Sequence, residues 1–309
     1  MDRTDVLIFR ALFQGDLSAP LSMDPRKSFR AIARSLRIDE LTVRNRLQKL
    51  HRAGFLKGWR LLASPALLGL KMVQLFVDVR SSRRGGLIEK LRVLPGIAAI
   101  VEHVGSSMYV IFGCRDEESL DKQIRLIRRL AGAKSSACLS VRFPNCNLRL
   151  LQTDVQIIRA LTKDPRKMYS AVAKEVGFSS KTVKRRLHRL IEGKAIFMIP
   201  SMDPSALEGA MLADLLVQYS GHEGTGAVKQ GILSELDDCL IRAEISDPYY
   251  GLFNLILTKV SAVREIPKRV RAISGVASAR IDLVQDRLEM YDQFFDQLEG
   301  LQRLPRRPS

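Results

Sequence analysis

The sequence predicts an α+β protein made of two winged helix-turn-helix domains, each followed by a ferredoxin-like βαββαβ domain. Three observations predict this fold class. The first half of the chain is repeated in the second half, apolar residues in both halves follow helical and then strand spacing, and two short windows hold most of the net positive charge. At 309 residues the chain is long enough for several small hydrophobic cores.

The repeat is clearest at its start, where residues 4–12 (TDVLIFRAL) return as residues 153–161 (TDVQIIRAL) with seven of nine positions identical. The block TVRNRL at 42–47 returns as TVKRRL at 182–187. The offset between the copies falls from 149 to 140 along the way, so the first copy carries a nine-residue insertion, which we place in a surface loop around 14–23. The sequence therefore indicates that a whole structural unit is duplicated.

Each copy opens with three short helices, which are predicted in the first copy at Asp5–Leu12, Phe29–Leu36 and Glu40–Ala53. Residues typical of helix caps mark the ends of these helices. They are Ser28, Asp39 and Gly54 in the first copy and Gly177, Ser179 and Gly193 in the second.

The third helix of each copy has an apolar face and a cationic face. Val43, Leu47 and Leu50 lie at i, i+4 and i+7 and share the stripe that faces the core. A short turn between two helices, the second cationic on its outer face, is typical of a helix-turn-helix that enters the major groove of DNA. We therefore predict recognition helices at 40–53 and 180–192, in which Arg and Lys read guanine, Asn and Gln read adenine, and further cations contact phosphate. The predicted DNA-binding residues are Thr42, Arg44, Asn45, Arg46, Gln48, Lys49 and Arg52 in the first copy and Lys181, Thr182, Lys184, Arg185, Arg186, His188 and Arg189 in the second.

The net charge of +17 is concentrated on these units. Residues 25–60 hold eleven Lys and Arg against two acidic residues, and residues 163–194 hold ten against three, so the two windows carry sixteen of the seventeen charges. Focused basic patches favour a polyanion partner, because they displace counterions from phosphates. Few aromatic residues lie on the basic helices to stack on single-stranded bases, so double-stranded DNA is the predicted partner.

The rest of each copy has strand-like spacing. A short apolar segment after each third helix, Phe55–Leu62 and Ala195–Pro200, suits a two-stranded wing, and a strand-helix-strand-strand-helix-strand rhythm follows. An amphipathic helix at Arg287–Leu301 and a basic tail are predicted to close the chain. Strands are predicted at 72–79, 98–104, 108–113 and 136–141 in the first copy and at 210–219, 240–245, 251–258 and 277–284 in the second. The predicted domains are 1–63, 70–145, 150–202, 208–286 and 287–309.

The sequence lacks the signatures of several other classes of protein. The most apolar run, Leu61–Val79, is interrupted by Pro and polar residues, and no secretion signal opens the chain, so we expect a cytoplasmic protein. The four cysteines have no metal-binding spacing and are expected to be reduced and mostly buried, and no cofactor is predicted. Phosphate-loop, dinucleotide and hydrolase motifs are absent, so the prediction is a protein that is not an enzyme.

The sequence resembles the leucine-responsive regulator (Lrp/AsnC) family. The resemblance rests on SFRAIA at 28–33, LTVRNRL at 41–47, AGFLKGW at 53–59 and the hinge-like SPALLG at 64–69. It implies DNA-binding regulators whose α+β domains pair through their sheets and often sense amino acids where they pair. A chain with two such units could form this pair internally, as a pseudo-dimer that addresses two half-sites one helical turn apart, or could associate further as a homodimer.

The resemblance leaves effector sensing open. Many family members carry a Gly and an Asp in the turn between the second and third strands of the α+β domain. The corresponding turns read GSSM at 105–108 and SDPY at 246–249, so the acidic residue is missing from the first copy. A small-molecule effector therefore remains an open partner.

Three alternatives compete with a two-headed regulator. Siroheme decarboxylases resemble this family and also pair two such units, which would imply a basic pocket for a polycarboxylate substrate. The candidate residues for that chemistry are His103, Tyr109, Arg242, Tyr249 and Tyr250. The second copy has RAEI at 242–245 where a His-rich strand is expected, and the charge lies on helices, so DNA binding is favoured. The other two alternatives are a nonspecific DNA-architectural protein and a chain in which a single helix-turn-helix contacts DNA.

Overall fold

The computed structural model describes residues 1–13, 28–132, 137–162, 164–221, 225–245 and 247–290. Within these residues one order of elements occurs twice: three helices and a strand, followed by βαββαβ. The insertion predicted around 14–23 and the tail beyond 290 lie outside the described residues.

The first three-helix unit comprises α1 (Arg3–Phe13), α2 (Phe29–Leu36) and α3 (Glu40–Arg52), close to the predicted bounds. Two predicted caps are confirmed, because Ser28 Oγ accepts a hydrogen bond from Ala31 N at 3.1 Å and Asp39 Oδ1 accepts one from Thr42 N at 2.7 Å. The apolar stripe of α3 is buried as predicted, against a core that includes an edge-to-face aromatic pair.

The second three-helix unit comprises α6 (Gln152–Leu161), α7 (Tyr169–Val176) and α8 (Ser180–Glu192). Val183, Leu187 and Leu190 are buried at the positions equivalent to the stripe of α3. Gly177 ends α7 with φ 74°, a left-handed conformation that glycine adopts without steric strain. The duplicated sequence therefore gives duplicated local structure.

Replacing Ser179 with alanine should lower the free energy of unfolding by about 1 kcal/mol. Ser179 Oγ accepts a hydrogen bond from Thr182 N at 3.1 Å, and alanine would leave that amide at the start of α8 without its side-chain partner. Urea denaturation measures the change. Ser180→Ala, on the exposed neighbouring position, is the matched control, and equal losses in the two variants would contradict the assigned cap.

The prediction of a separate two-stranded wing after each third helix is wrong. Each segment forms a single strand, β1 (Leu56–Ala63) and β6 (Ile196–Met202), and the two strands pair with each other in an antiparallel ribbon. Gly58 pairs with Ser201, the repeat equivalent of Leu61, and Leu61 pairs with Met198, the repeat equivalent of Gly58. The two copies are thus related across this ribbon by a pseudo-two-fold axis.

The two α+β regions have the same strand order. The first contains β2 (Lys71–Asp78), α4 (Ser81–Arg92), β3 (Ile97–His103), β4 (Ser107–Cys114), α5 (Glu117–Ala131) and β5 (Cys138–Val141), with the sheet order β5-β2-β4-β3. The second contains β7 (Met211–Tyr219), α9 (Thr225–Glu235), β8 (Leu240–Glu244), β9 (Tyr250–Leu257), α10 (Ala262–Arg271) and β10 (Val276–Glu289), with the sheet order β10-β7-β9-β8. In each region the fourth strand therefore lies beside the first, as the predicted ferredoxin-like rhythm requires.

Strand β10 joins these regions into one eight-stranded antiparallel sheet. Its first part pairs with β7 as far as Leu283, and its second part pairs with β3 from Val284 to Glu289. The helix predicted to begin at Arg287 is therefore wrong over residues 287–289, and the remainder of that prediction lies outside the described residues. The edge strand β3 supplies hydrogen-bond partners for the backbone of β10. Leu288 also packs against the hydrophobic core of the first α+β region, so continuing the strand is favoured over starting a helix.

The first three-helix unit rests on the second α+β region. Arg10 Nε donates a hydrogen bond to Leu240 O at 2.9 Å, and Arg10 Nη1 pairs with Asp237 at 2.6 Å. In addition, Ser140 N donates to Asp247 Oδ2 at 2.9 Å, so β5 of the first copy contacts the second copy. These contacts hold the two copies together within one chain.

All four cysteines are free thiols; Cys114 is buried and the others are half-buried, and burial raises the pKa of Cys138 and Cys239 to about 11. Among the described residues, no helix is long and apolar enough to span a bilayer.

Candidate nucleic-acid interface and inter-sheet pocket

The outer faces of α3 and α8 have matching patterns of exposure. The third position of each helix, Thr42 or Thr182, is half-buried, and the side chains two and three positions later are exposed. The exposed members of the predicted set are Arg44, Asn45, Gln48, Lys49 and Arg52 on α3 and Lys181, Lys184, Arg185 and His188 on α8. No Asp or Glu lies between the first and last member of either set along its helix, so these positions are all cationic or neutral.

Three predicted DNA-binding arginines pair with a buried aspartate of their own copy. Arg46 Nη1 lies 3.1 Å from Asp5 Oδ1, and Arg186 Nη1 lies 3.1 Å from Asp154 Oδ1, at equivalent positions of the two copies. Both aspartates are buried near the start of their first helix, so each arginine ties the third helix to the first. Arg189 Nη1 also reaches Asp154, at 3.1 Å. Thr-Asp and the later Arg recur in both copies of the sequence, but their recurrence does not show that they pair.

Two further residues of the predicted set, Thr42 and Arg44, have partners at the start of α3. Thr42 Oγ1 donates to Asp39 Oδ2 at 2.5 Å, and this bond lowers the pKa of the Asp39 carboxyl. Arg44 pairs with Glu40 at 2.7 Å and lies over the Phe29 ring. Within the described part of the chain, and apart from the two threonines, the members of the set without an ion-pair partner are Asn45, Gln48, Lys49, Arg52, Lys181, Lys184, Arg185 and His188.

The two three-helix units are held in a fixed relation by contacts between copies. The Arg166 guanidinium of the second copy lies between two aromatic rings of the first, 4.8 Å from the Phe29 centroid and 5.2 Å from the Trp59 centroid. Lys57 Nζ pairs with Asp203 Oδ2 at 2.8 Å, and this partner lowers the pKa of Asp203 to about 2. The β1–β6 ribbon and these side chains together set the distance between α3 and α8.

A buried polar network joins the two α+β regions. His103 is fully buried, with Nδ1 3.1 Å from Ser107 Oγ and Nε2 3.0 Å from Asp214 Oδ2 of the other copy. Asn254 Nδ2 donates to Asp214 Oδ1 at 2.6 Å. Both carboxylate oxygens of Asp214 therefore have partners, as buried polar atoms require.

A pocket lies beside this network and is lined by residues of both copies. Of the residues considered for decarboxylase chemistry, Tyr109 and Arg242 line it, whereas His103 is held in the network and Tyr249 and Tyr250 are not among its lining residues. The last two follow Asp247, which accepts hydrogen bonds from both of their backbone amides. The fold therefore does not gather that candidate set at one site.

The arrangement agrees with sequence comparisons. Residues 152–191, which span α6 to α8, match the family model of the AsnC-type helix-turn-helix domain. The HTH-type transcriptional regulator Ptr1 of Methanocaldococcus jannaschii is 32% identical over 124 residues, which are 40% of this chain and 78% of that protein. LrpA of Pyrococcus horikoshii, also an HTH-type transcriptional regulator, is 31% identical over 102 residues, 32% of this chain and 72% of its own. The chain belongs to the Lrp/AsnC family. The resemblance predicted from the sequence is thereby confirmed, and the Ptr1 relative is about half as long as this Lrp/AsnC chain.

A solved structure matches this Lrp/AsnC chain over almost its whole length. The crystal structure of the siroheme decarboxylase NirDL superposes with a TM-score of 0.54 and 13% sequence identity, covering 96% of this chain and 100% of that one. At this identity the likeness shows a shared fold. The mixed α+β fold class is confirmed for this Lrp/AsnC member by that likeness and by the antiparallel sheet.

Proposed function

We propose that this Lrp/AsnC chain is a transcriptional regulator that binds double-stranded DNA with two helix-turn-helix units, placing α3 and α8 in the major groove. The observation that carries the proposal is the matched pair of exposed cationic faces on helices related by the pseudo-two-fold ribbon. Relatives of one-unit length, Ptr1 and LrpA, are named as transcriptional regulators. We propose no catalytic role.

The chain acts in this proposal as an intrachain pseudo-dimer. Its duplicated units replace the two subunits of a symmetric dimer, and the pairing of β3 with β10 replaces contacts between subunits. Two recognition helices related by a two-fold axis read two half-sites about one helical turn, or roughly 34–36 Å, apart. We therefore expect a pseudo-palindromic operator.

The two helix-turn-helix units present different side chains to DNA. On α3, Asn45 and Gln48 supply amides that suit adenine edges. On α8, Lys184 and Arg185 supply cations that suit phosphates and guanine edges. We expect the first unit to contribute more sequence discrimination and the second more of the salt-dependent affinity.

A salt series of binding to mixed genomic fragments, with sequencing of what stays bound at the highest salt, tests the proposal. The expected result is enrichment of paired half-sites near one turn apart. Binding that fades uniformly without enrichment would favour a nonspecific architectural role, because phosphate contacts alone carry no sequence information.

Replacing Arg166 with alanine should broaden the range of half-site spacings that the chain binds. Arg166 lies between rings of the first copy, and removing it loosens the relation between α3 and α8 without touching either helix face. Selection from a library with variable spacers measures this effect. The matched control is Lys174→Ala on the exposed face of α7, and a spacing profile shared by all three proteins would refute the positioning role.

A further inference from the structure

The side chains opposite the buried stripe of each third helix form an exposed row. On α3 the row is Leu41, Asn45 and Gln48, at i, i+4 and i+7. At about 100° per residue it lies roughly 160° around the helix axis from the buried stripe. The equivalent row on α8 is Lys181, Arg185 and His188. We call these the outer rows, and in a helix-turn-helix such a face meets the base edges of the major groove.

The outer rows are where the two third helices differ in chemistry. Between residues 41–50 and 181–190 the buried positions are identical, and so are 42 and 46, whose side chains have partners within their own unit. Outside the rows the changes, at 44 and 49, exchange one cation for another. Within the rows, apolar and amide side chains are replaced by basic ones at every position. One helix geometry therefore accommodates both rows, and folding does not account for the difference between them.

The outer row of α3 suits A·T pairs. Leu41 is 63% exposed on the first turn of the helix, so water surrounds a side chain that gains free energy from apolar contact. The apolar group that the major groove presents is the thymine methyl. Asn45 and Gln48 follow along the same row, and a side-chain amide forms two hydrogen bonds with the N6 and N7 atoms of adenine. An apolar contact and two amides together favour A·T over G·C.

The outer row of α8 suits G·C pairs. Lys181 and Arg185 only donate hydrogen bonds, and guanine presents two acceptors, N7 and O6, on its major-groove edge. Adenine presents the donor N6 where guanine presents O6, so adenine offers these side chains one acceptor fewer. In the groove the Arg185 charge still offsets that of neighbouring phosphates, so this residue keeps its part in the salt dependence of binding.

We propose that the chain recognises a duplex with two unlike half-sites, an A·T-rich one under α3 and a G·C-rich one under α8, and binds it in one direction. The inference rests on the proposed function and names the DNA that each unit reads. The pseudo-two-fold ribbon gives the half-sites a symmetric spacing, whereas the outer rows make their sequences differ. A dimer of identical subunits reads both half-sites with the same row, so it has no preferred direction on its operator. The duplicated chain instead presents each α+β region to a defined flank.

Selection by the full-length chain from duplexes with two randomised half-sites, at a range of spacings, tests the inference. The unmodified chain should enrich duplexes in which one half-site is A·T-rich and the other G·C-rich. An exchange of the outer row on α3, Leu41→Lys with Asn45→Arg and Gln48→His, should yield two G·C-rich half-sites. The reverse exchange on α8, Lys181→Leu with Arg185→Asn and His188→Gln, should yield two A·T-rich half-sites. In each case the affinity ratio between the two compositions at the altered half-site should change by about tenfold or more, because one bidentate base contact discriminates by about that factor.

Each exchange introduces side chains that the other copy already carries at exposed positions, so the fold is retained. The matched control is Arg44→Lys with Lys49→Arg, which exchanges the cations beside the row and should leave both half-sites unchanged. Half-sites of like composition for the unmodified chain, or failure of either exchange to change its half-site, would overturn the inference and leave a two-headed regulator in place. Binding without enrichment of any half-site would overturn the proposed function, and the inference with it.

Deoxyuridine in place of thymine tests the role of Leu41 separately. This substitution removes only the thymine methyl from the selected A·T-rich half-site. It should weaken binding by the unmodified chain about threefold, as expected for the loss of one buried methyl group, and fluorescence anisotropy measures the change. Binding by the single variant Leu41→Lys should not depend on the methyl. Equal sensitivity of the two proteins to deoxyuridine would overturn the contact assigned to Leu41.

Discussion

Replacing Lys184 and Arg185 together with alanine should weaken DNA binding by about one to two orders of magnitude and reduce the slope of log affinity against log salt by about 2. Both side chains are exposed on α8 and have no ion-pair partner among the described residues. Each cation that neutralises a phosphate releases a counterion, so its loss lowers the salt slope by about one. Fluorescence anisotropy across a salt series measures both quantities.

The control for this double variant is Arg264→Ala with Lys268→Ala, which removes two charges from exposed positions on α10. Salt screens charges that lie far from the DNA, so we expect this variant to change the affinity little and to leave the salt slope unchanged. An equal change in the two double variants would show that net charge, and not the face of α8, governs binding.

The corresponding pair on the first unit is Arg44 and Lys49. Their joint replacement with alanine should weaken binding and flatten the salt dependence in the same way, although the Glu40 partner of Arg44 reduces the expected change in slope. Loss in only one of the two double variants would leave a regulator with a single DNA-binding unit.

Replacing Asp214 with alanine should lower the free energy of unfolding by about 3–5 kcal/mol. Asp214 is 3% exposed and accepts from the buried His103 and from Asn254, so its removal leaves two polar groups without their shared partner. The lost free energy comes from the contact between the copies, because His103 and Asp214 belong to different halves of the repeat. Chemical denaturation monitored by far-UV circular dichroism measures it.

Asp282→Ala is the comparison for this loss. Asp282 is more exposed, lies 3.4 Å from Ser107 Oγ and pairs with the half-exposed Arg280 at 2.9 Å, so its removal should cost about 1 kcal/mol or less. If Asp214→Ala is no more destabilising than Asp282→Ala, the buried network contributes little to joining the two α+β regions.

Local structure could be predicted from the sequence because its signals repeat within a helical turn or a few strand residues. The spacing of Val43, Leu47 and Leu50 identified the buried face of α3, and Ser28, Asp39 and Ser179 marked helix starts that the structure confirms. The duplication doubled this evidence, since the second copy repeats the same signals.

Sequence patterns did not indicate which groups would meet across the fold. The predicted DNA-binding residues of α3 included Arg46, yet its partner Asp5 lies 41 positions away, and charge counting cannot separate an ion pair from a phosphate contact. His103 could be a catalytic candidate by residue type alone, whereas the structure gives it Asp214, 111 positions later, as a buried partner.

The sequence by itself determined the duplicated units, their helices, the strand rhythm and the two cationic faces. Tertiary structure decided that β1 pairs with β6, that β10 runs on from β7 to the edge of β3, and that His103 meets Asp214 of the other copy. The physical reason is that helices complete their hydrogen bonds within a few residues, so their signals are local. A strand must complete its bonds with another strand, and its backbone groups do not specify which one.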